Sequence, residues 1–465
     1  MRFRDFLAEE SMRSRILGGG IVRTAMSLAW PVMLSNAFQT VYNLTDAFWL
    51  GRLGPEAVAA PSVCWPIIFL LIALSAGFGI SGVALVSQHT GAGEAEKANR
   101  AAGQLVTILL VASVGVTVVG YLLAGSILRL INIPEGVLGI ATRYLRITFL
   151  GVPFMFSHFG FQALLRGYGD TRTPMILSVS SAVLDSILDP FFIFGWLGLP
   201  AMGAAGAALT TVMTRGIAGV AGMYLLFSGR VGLRLRPAHL KPDLGLMRRI
   251  ASIGLPSSIG MSGTALGFTV LTALISIEDR ALGGTGLLLS AYGIGNRLSS
   301  LIQIIIFGGV SALSTMVGQN LGADQTDRVD EIVRRLFITF IGIAAAESVV
   351  VYLLRVPLYR VFIDHPTVVG LGSTYVAYFV PFFPFFAVFR LCMSVFEAAG
   401  YTRVSMALSL VRLWGMRILL ACVFYLFLGM GVTGIWIGLA LGNVGAALLS
   451  IALLLRGGWR QKIID

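Results

Sequence analysis

Long apolar runs dominate the chain and limit the folds that it can adopt. About 20 apolar residues span the hydrocarbon core of a bilayer as a helix, and only 12% of the 465 residues are charged, against roughly 25% in soluble domains. The sequence therefore predicts an all-α, polytopic protein with the lipid bilayer as its partner. Twelve transmembrane helices are predicted, at 25–50, 57–87, 103–127, 138–166, 174–195, 203–228, 249–277, 285–317, 332–354, 370–397, 404–428 and 432–456.

The basic residues are distributed unevenly between the connecting segments. If the N-terminus is cytoplasmic, 22 of the 34 Lys and Arg residues fall in cytoplasmic segments, seven in outer loops and five within spans. Such a bias sets the orientation of membrane proteins. We therefore predict a multi-pass protein of the cell (plasma) membrane with both termini cytoplasmic. The net charge of +12 is attributed to these loops, and no nucleic-acid partner is expected.

The sequence repeats itself at a constant offset of 231 residues. The pattern Q-x-x-G-A at 88–92 recurs at 319–323, and G-x-T-R-x-x-M-x-L-S at 169–178 recurs at 400–409. A constant offset in separate segments indicates duplication. Each half contains an even number of spans, so both halves have the same orientation, a parallel repeat that is typical of some transporters.

The longest polar connection divides the chain between the two repeats. We predict an N-terminal six-helix lobe at 1–228, which holds a cation site, a cytoplasmic linker at 229–248, and a C-terminal six-helix lobe at 249–465. The predicted architecture is two pseudo-symmetric lobes around a central cleft, acting as a monomer.

A polar stripe runs along the first helix. Asn36, Gln39, Asn43 and Asp46 are spaced three, four and three apart, which places them on one helical face. A carboxylate in the bilayer centre costs about 2.5–3.5 kcal/mol, so the stripe must face protein or a water-filled cavity. We predict that these four residues and Arg297, at a similar depth in the second lobe, line a substrate cavity.

Acidic residues occur in the N-terminal repeat where the second repeat is apolar. Two acids lie four residues apart on the fifth helix, in VLDSILDP, and their counterparts at the 231-residue offset are Met and Leu. Like charges this close in a low dielectric cannot both ionise cheaply. From the rise of about 1.5 Å per residue, the acids of the first and fifth helices reach the outer half of the bilayer, together with a tyrosine and a threonine. The predicted cation-coupling residues are Asp46, Asp189, Asp185, Tyr144 and Thr211.

The donor set suits a small hard cation. Carboxylate and hydroxyl oxygens bind a proton or Na⁺. A metal site made of Asp46, Asp185 and Asp189 is expected only if the protein is sodium-coupled, and no cofactor other than the coupling ion is expected. The structural alternative for each residue is hydrogen bonding between helices.

Four motifs resemble the multidrug and toxic compound extrusion (MATE) transporters, across nearly the whole chain. They are PVMLSNAFQTVYNLTDAFWLGRLG from Pro31, LLRGYGDTRTP after the fourth helix, LDPFFIFG in the fifth and GAAGAALTT in the sixth. The acids of the first and fifth helices are similar to those of the DinF-type branch. This resemblance implies that Asp46, Asp189, Tyr144 and Thr211 form the cation site, whereas Asp185 stands where asparagine is expected.

The resemblance also implies a function. Such a protein is expected to be a secondary active antiporter, not an enzyme, which exports organic, often cationic or amphipathic, small molecules in exchange for H⁺ or Na⁺ by alternating access. A flippase for lipid-linked oligosaccharides, from the same broader superfamily, is the main alternative. A major-facilitator carrier lacks its expected loop motif here, and an intramembrane enzyme lacks a recognisable catalytic dyad or an HExxH motif.

Overall fold

A computed structural model describes residues 13–131, 133–281 and 283–464. Ten helices in these ranges are long and apolar enough to cross a membrane, and a bent pair of helices is an eleventh candidate. The helix Ile21–Gly51 is the twelfth. Its 31 residues reach about 46 Å at 1.5 Å per residue, although the polar stripe makes it less apolar than the others. The twelve predicted spans are therefore all present.

The twelve spans are numbered α1 to α12 along the chain. The N-terminal lobe contains α1 Ile21–Gly51, α2 Pro55–Ala92, α3 Ala95–Leu130, α4 in two halves (Glu135–Leu150 and Val152–Tyr168), α5 Arg172–Phe194 and α6 Ala204–Ser228. The C-terminal lobe contains α7 Leu244–Ala281, α8 Leu287–Gly322, α9 Thr326–Leu353, α10 Pro366–Ala398, α11 Thr402–Phe427 and α12 Gly431–Leu455.

The fourth span is bent rather than straight. Its two halves meet at Gly151 at an angle of 51°. Pro153 is the second residue of the second half, where its missing N–H does not interrupt a helical ladder. The bend leaves both halves in the N-terminal lobe, packed against α2, α3 and α6.

The first helix of each lobe packs partly on the other lobe. The start of α1, with Ile21, Ala25 and Leu28, lies in one hydrophobic cluster with residues of α8, α9 and α10. The rest of α1 packs against α5 of its own lobe. In the same way, α7 of the second lobe packs along α2 of the first. Each first helix therefore links its own lobe to the opposite one.

The repeated Q-x-x-G motifs cross each other between the lobes. A methyl group on Gly91 would lie 1.8 Å from the carbonyl oxygen of Gln319, and one on Gly322 would lie 1.9 Å from that of Gln88. Only glycine permits this approach of the two backbones. We call these four residues the interlobe seal.

The seal is also hydrogen-bonded with the same symmetry. Gln88 donates from Nε2 to the carbonyl of Ala398 at 2.9 Å, and Gln319 donates from Nε2 to the carbonyl of Gly167 at 3.2 Å. Ala398 follows Gly167 by the repeat offset of 231 residues. The duplicated motif therefore builds one pseudo-two-fold contact that joins the lobes.

The seal lies at the basic end of the molecule. Arg13, next to the N-terminal arm, donates to the carbonyl of Gly91 at 2.8 Å, and the backbone N–H of Ile463 donates to Gln88 Oε1 at 2.8 Å. The linker is anchored at the same end, since Arg100 of α3 pairs with Asp243 at 2.7 Å. Arg13, the linker and the tail thus gather around the contact that joins the lobes.

Candidate functional site

The fifth helix carries two deeply buried acids into the N-terminal lobe. Asp185 is 2% exposed and Asp189 is 0% exposed, because α5 packs against α1 on one side and α6 on the other. Asp46 is half-buried near the end of α1. Since Asp46 and Asp189 both lie five residues before the ends of their helices, the acids lie at the end of the lobe opposite the interlobe seal.

Hydroxyl groups of α1 and α6 complete the cluster. Thr214 donates from Oγ1 to Oδ1 of Asp185 at 2.9 Å. The hydroxyls of Tyr42 and Thr211 lie 2.9 Å apart and share a hydrogen bond. These contacts tie α6 to both α1 and α5.

One basic residue accompanies the acids. Arg215 lies near enough to Asp46 and Asp185 to interact electrostatically with both, and its guanidinium lies 5.9 Å from the ring centre of Tyr42. Tyr144 is likewise within electrostatic reach of Asp46 and Asp185. The cluster therefore contains three acids and one permanent cation.

Several carboxyl oxygens in the cluster have no hydrogen-bond partner among the described residues. They are Asp46 Oδ1, Asp185 Oδ2 and both oxygens of Asp189. Burying an ionised carboxylate without a partner is costly, so these oxygens fit a group that holds a proton. Within 13–131, 133–281 and 283–464, no three His, Cys, Asp or Glu side chains converge as metal ligands. A metal site made of all three carboxylates, expected for sodium coupling, is not formed in this conformation.

The predicted cation-coupling residues thus lie in one layer of one lobe, while their role stays a prediction. Sequence reasoning did not include Tyr42 and Thr214 in the cluster. The spacing of Thr211 and Thr214 was the available signal, because residues three apart share a helix face. Arg215 is one of the five basic residues that the sequence places within spans, but its position beside the acids depends on how α6 packs.

A cavity of about 740 Å³ lies between the two lobes. Asn36 lines it, as predicted from the stripe on α1, together with Met261 and Gln303. Much of its wall is aromatic and comes from both lobes: Phe69, Phe268, Phe307, Phe379, Phe383, Phe386 and Phe389.

The other four predicted substrate-cavity residues are not part of this described lining. Gln39 and Asn43 are exposed and hydrogen-bond to each other at 3.3 Å, and Arg297 is also exposed. Asp46 belongs to the acid cluster. The stripe divides in this way because the first half of α1 faces the other lobe, whereas the second half of α1 faces α5. In the described conformation the interlobe cavity is therefore lined by Asn36 but not by these four residues, and their role in binding cargo stays a prediction.

Comparison with known proteins gives a consistent result. The chain is 27% identical to the "Probable multidrug resistance protein YpnP" of Bacillus subtilis, over 91% of this chain and 92% of the relative. It is 26% identical to an "FAD transporter" of Shewanella oneidensis, over 69% of each. Its fold matches a solved structure described as the outward-facing conformation of a multidrug resistance MATE family transporter, with a TM-score of 0.89, 23% identity, and coverage of 96% of this chain and 98% of that one.

A family model also matches both repeats. The model named MatE covers residues 31–191 and 256–423, which together are well over half of the chain and begin at Pro31 and Pro256, the prolines of α1 and α7. The chain belongs to the MatE family of membrane transporters.

Proposed function

We propose that the protein is a secondary active antiporter that exports organic compounds in exchange for H⁺, by alternating access. The observation that carries this proposal is the buried acid cluster, whose unpartnered carboxyl oxygens lie beside α1. The same helix presents Asn36 to the interlobe cavity. One helix therefore connects a proton-binding site with a cargo-sized cavity.

The connection suggests how the two events are coupled. In the ionised state, Asp46 attracts Arg215 and holds the end of α1 against α5 and α6. Protonation removes that attraction. Since the first half of α1 packs on the C-terminal lobe, a rearrangement at the acid end alters the contact between the lobes and releases cargo from the cavity.

We propose H⁺ rather than Na⁺ as the coupling ion. Both oxygens of Asp189 are buried and without partners in the described structure, an environment that suits a neutral carboxyl group better than a charged one. Sodium needs several converging oxygen ligands. A proton needs only one carboxyl group, and the cluster contains three such groups with unpartnered oxygens.

We further propose the plasma membrane as the location, with both termini in the cytoplasm and the monomer as the working unit. The asymmetry of Lys and Arg supports this orientation. It places the interlobe seal on the cytoplasmic side and the acid cluster on the outer side. Each chain contains both lobes, the cavity and the acid cluster, so a single copy is sufficient for the mechanism.

The names of the relatives support export of organic compounds without fixing the charge of the cargo. One is a probable multidrug resistance protein and another is an FAD transporter. A cavity of about 740 Å³ falls within the usual range for drug-sized ligands.

The proposal is tested in proteoliposomes by following dye export under a pH gradient or a Na⁺ gradient alone. We expect export with the pH gradient, and loss of gradient-driven export in Asp46→Asn and Asp189→Asn, because amides cannot bind and release the proton. Asp364→Asn is the control, since Asp364 is exposed and far from α5 in sequence. Export by both amide variants at the wild-type rate would refute the coupling mechanism. Export driven only by Na⁺ would refute the choice of ion.

A further inference from the structure

Four arginines face the interlobe cavity, where the family resemblance leads one to expect a site for cations. They come from both lobes: Arg166 from α4, Arg390 from α10, and Arg412 and Arg417 from α11. In the described part of the chain, the one acidic residue in the lining is Glu397, which interacts electrostatically with Arg390. Three arginines therefore remain without an acid, and the cavity is positively charged.

Two of these arginines are buried almost completely. Arg412 is 6% exposed and Arg417 is 5% exposed. Arg412 donates from Nη1 to Oδ1 of Asn443 at 3.3 Å, but the Nε–H groups of Arg390, Arg412 and Arg417 have no partner among the described residues. None of the four arginines forms an ion pair with a residue in 13–131, 133–281 or 283–464. Guanidinium groups stay protonated in proteins, so donors and charge are left for a ligand.

Local helix geometry turns Arg412 and Arg417 toward the same cavity. They are five residues apart, which on an α-helix of 3.6 residues per turn would place them about 140° from each other. The segment Val411–Ile418 is instead a π-helix, whose wider turn brings residues five apart nearer to one face. Wider turns of this kind are found frequently at functional sites.

Aromatic rings hold both guanidinium groups in place. Arg412 lies 5.2 Å and 4.9 Å from the ring centres of Phe386 and Phe389, and Arg417 lies 5.5 Å from those of Phe268 and Phe379. Such contacts orient the guanidinium plane. The result is a pair of fixed cationic forks in an apolar wall, an arrangement that matches carboxylates and phosphates.

We propose that the interlobe cavity binds an amphipathic organic anion, an apolar body with a carboxylate, phosphate or sulfonate group held by Arg412 and Arg417. The phenylalanines of the wall contact the body of the ligand. This inference rests on the proposed function only in taking the cavity as the cargo site. An organic cation would meet three unpaired like charges here, and its natural partners, the acids of the N-terminal lobe, lie in a separate cluster.

The test uses two dyes with the same xanthene ring and opposite charge, carboxyfluorescein and rhodamine 123, and measures binding to the full-length protein in detergent by fluorescence anisotropy. We expect the anionic dye to bind roughly ten-fold or more tightly than the cationic one. Arg412→Gln and Arg417→Gln should each lower the affinity for the anionic dye by about 10- to 100-fold, the effect of losing a charge-assisted hydrogen bond. Arg412→Lys should restore part of the affinity, because it keeps the charge.

A matched control removes an arginine with a similar ring contact outside the cavity. Arg146 lies 5.4 Å from the ring centre of Tyr121 and is exposed, so Arg146→Gln should leave the affinity for both dyes unchanged. Tighter binding of rhodamine 123, absence of carboxyfluorescein binding, or unchanged binding in the folded double variant R412Q/R417Q would each overturn the proposal.

Competition separates two sources of the anionic group, both of which fit the proposal. Displacement of carboxyfluorescein by a soluble naphthalene sulfonate identifies a water-soluble cargo. Displacement only by a polyprenyl phosphate identifies an anion carried on a lipid. Anion binding without gradient-driven export would uphold this inference and refute the proposed antiport. Coupled export of rhodamine 123 alone would uphold the antiport and refute this inference.

Discussion

The interlobe seal allows a direct test of alternating access. Replacing Gly91 by alanine adds a methyl group that would lie 1.8 Å from the carbonyl oxygen of Gln319. Ordinary contacts of a Cβ atom begin at 3.4 Å, so the two backbones must separate by the difference, about 1.6 Å. The methyl group of Gly322→Ala would lie 1.9 Å from the carbonyl oxygen of Gln88, so it requires a similar separation.

The added methyl group destabilises only the conformation in which the two lobes touch at the interlobe seal. Overpacking a close contact destabilises by roughly 1–3 kcal/mol, and this cost disappears when the lobes separate at the basic end. The higher helix propensity of alanine, about 1 kcal/mol, applies to both conformations and cancels. Each substitution should therefore shift the equilibrium toward separation about 5- to 150-fold. The two effects should be less than additive, because one separation relieves both contacts.

The shift can be measured as a distance between the lobes. Ala95 and Thr326, at the starts of α3 and α9, are exposed and related by the repeat offset. Spin labels at these positions, in a background without the three native cysteines, report the separation by electron–electron resonance. We expect a longer distance to gain population in Gly91→Ala, and dye export to slow because the sealed state is part of the cycle.

Matched controls exist in the same bundle. Gly115 and Gly342 lie within helices, and a methyl group on either would meet no described atom within 4 Å. Alanine at these positions should leave the distance distribution unchanged. An unchanged distribution in the double variant G91A/G322A would show that the crossing of the two motifs does not hold the lobes together, and the reasoning would fail.

Three further predictions concern the polar contacts. Thr214→Val leaves a buried oxygen of Asp185 without its donor, so we expect the melting temperature in detergent to fall by the equivalent of roughly 1–3 kcal/mol, with Thr214→Ser close to wild type. Gln88→Leu and Gln319→Leu should favour the longer distance between the lobes to a similar extent, roughly 1 kcal/mol each, and clearly unequal shifts would contradict their symmetric roles. Asp279 accepts the N–H groups at the start of α8, so Asp279→Ala should lower thermal stability by about 1–2 kcal/mol, without changing the selectivity for dye charge.

The spans and the duplication could be predicted from local pattern. Hydrophobic length identifies a span without knowledge of its neighbours, which is why all twelve were found. The gathering of Asp46, Asp185, Asp189, Tyr144 and Thr211 at one depth also followed from counting residues along helices of known direction, although their role in coupling still awaits experiment.

The cavity could not be predicted in the same way. Which face of a helix meets the other lobe depends on packing, so the stripe on α1 was assigned to one cavity although only Asn36 lines it. Sequence reasoning could not place Arg412 and Arg417 on one face, because residues five apart on an α-helix lie about 140° from each other. The π-helix that reorients them has no signature in the local sequence.

The duplicated fifth and eleventh helices have diverged in charge, with acids on one copy and arginines on the other. If one proton enters for each singly charged anion that leaves, both movements carry positive charge inward. The cycle would then be electrogenic, with about 4.6 kcal/mol of driving force from each 100 mV of membrane potential, even without a pH gradient. An exporter of cations in one-to-one exchange with protons would gain nothing from the voltage.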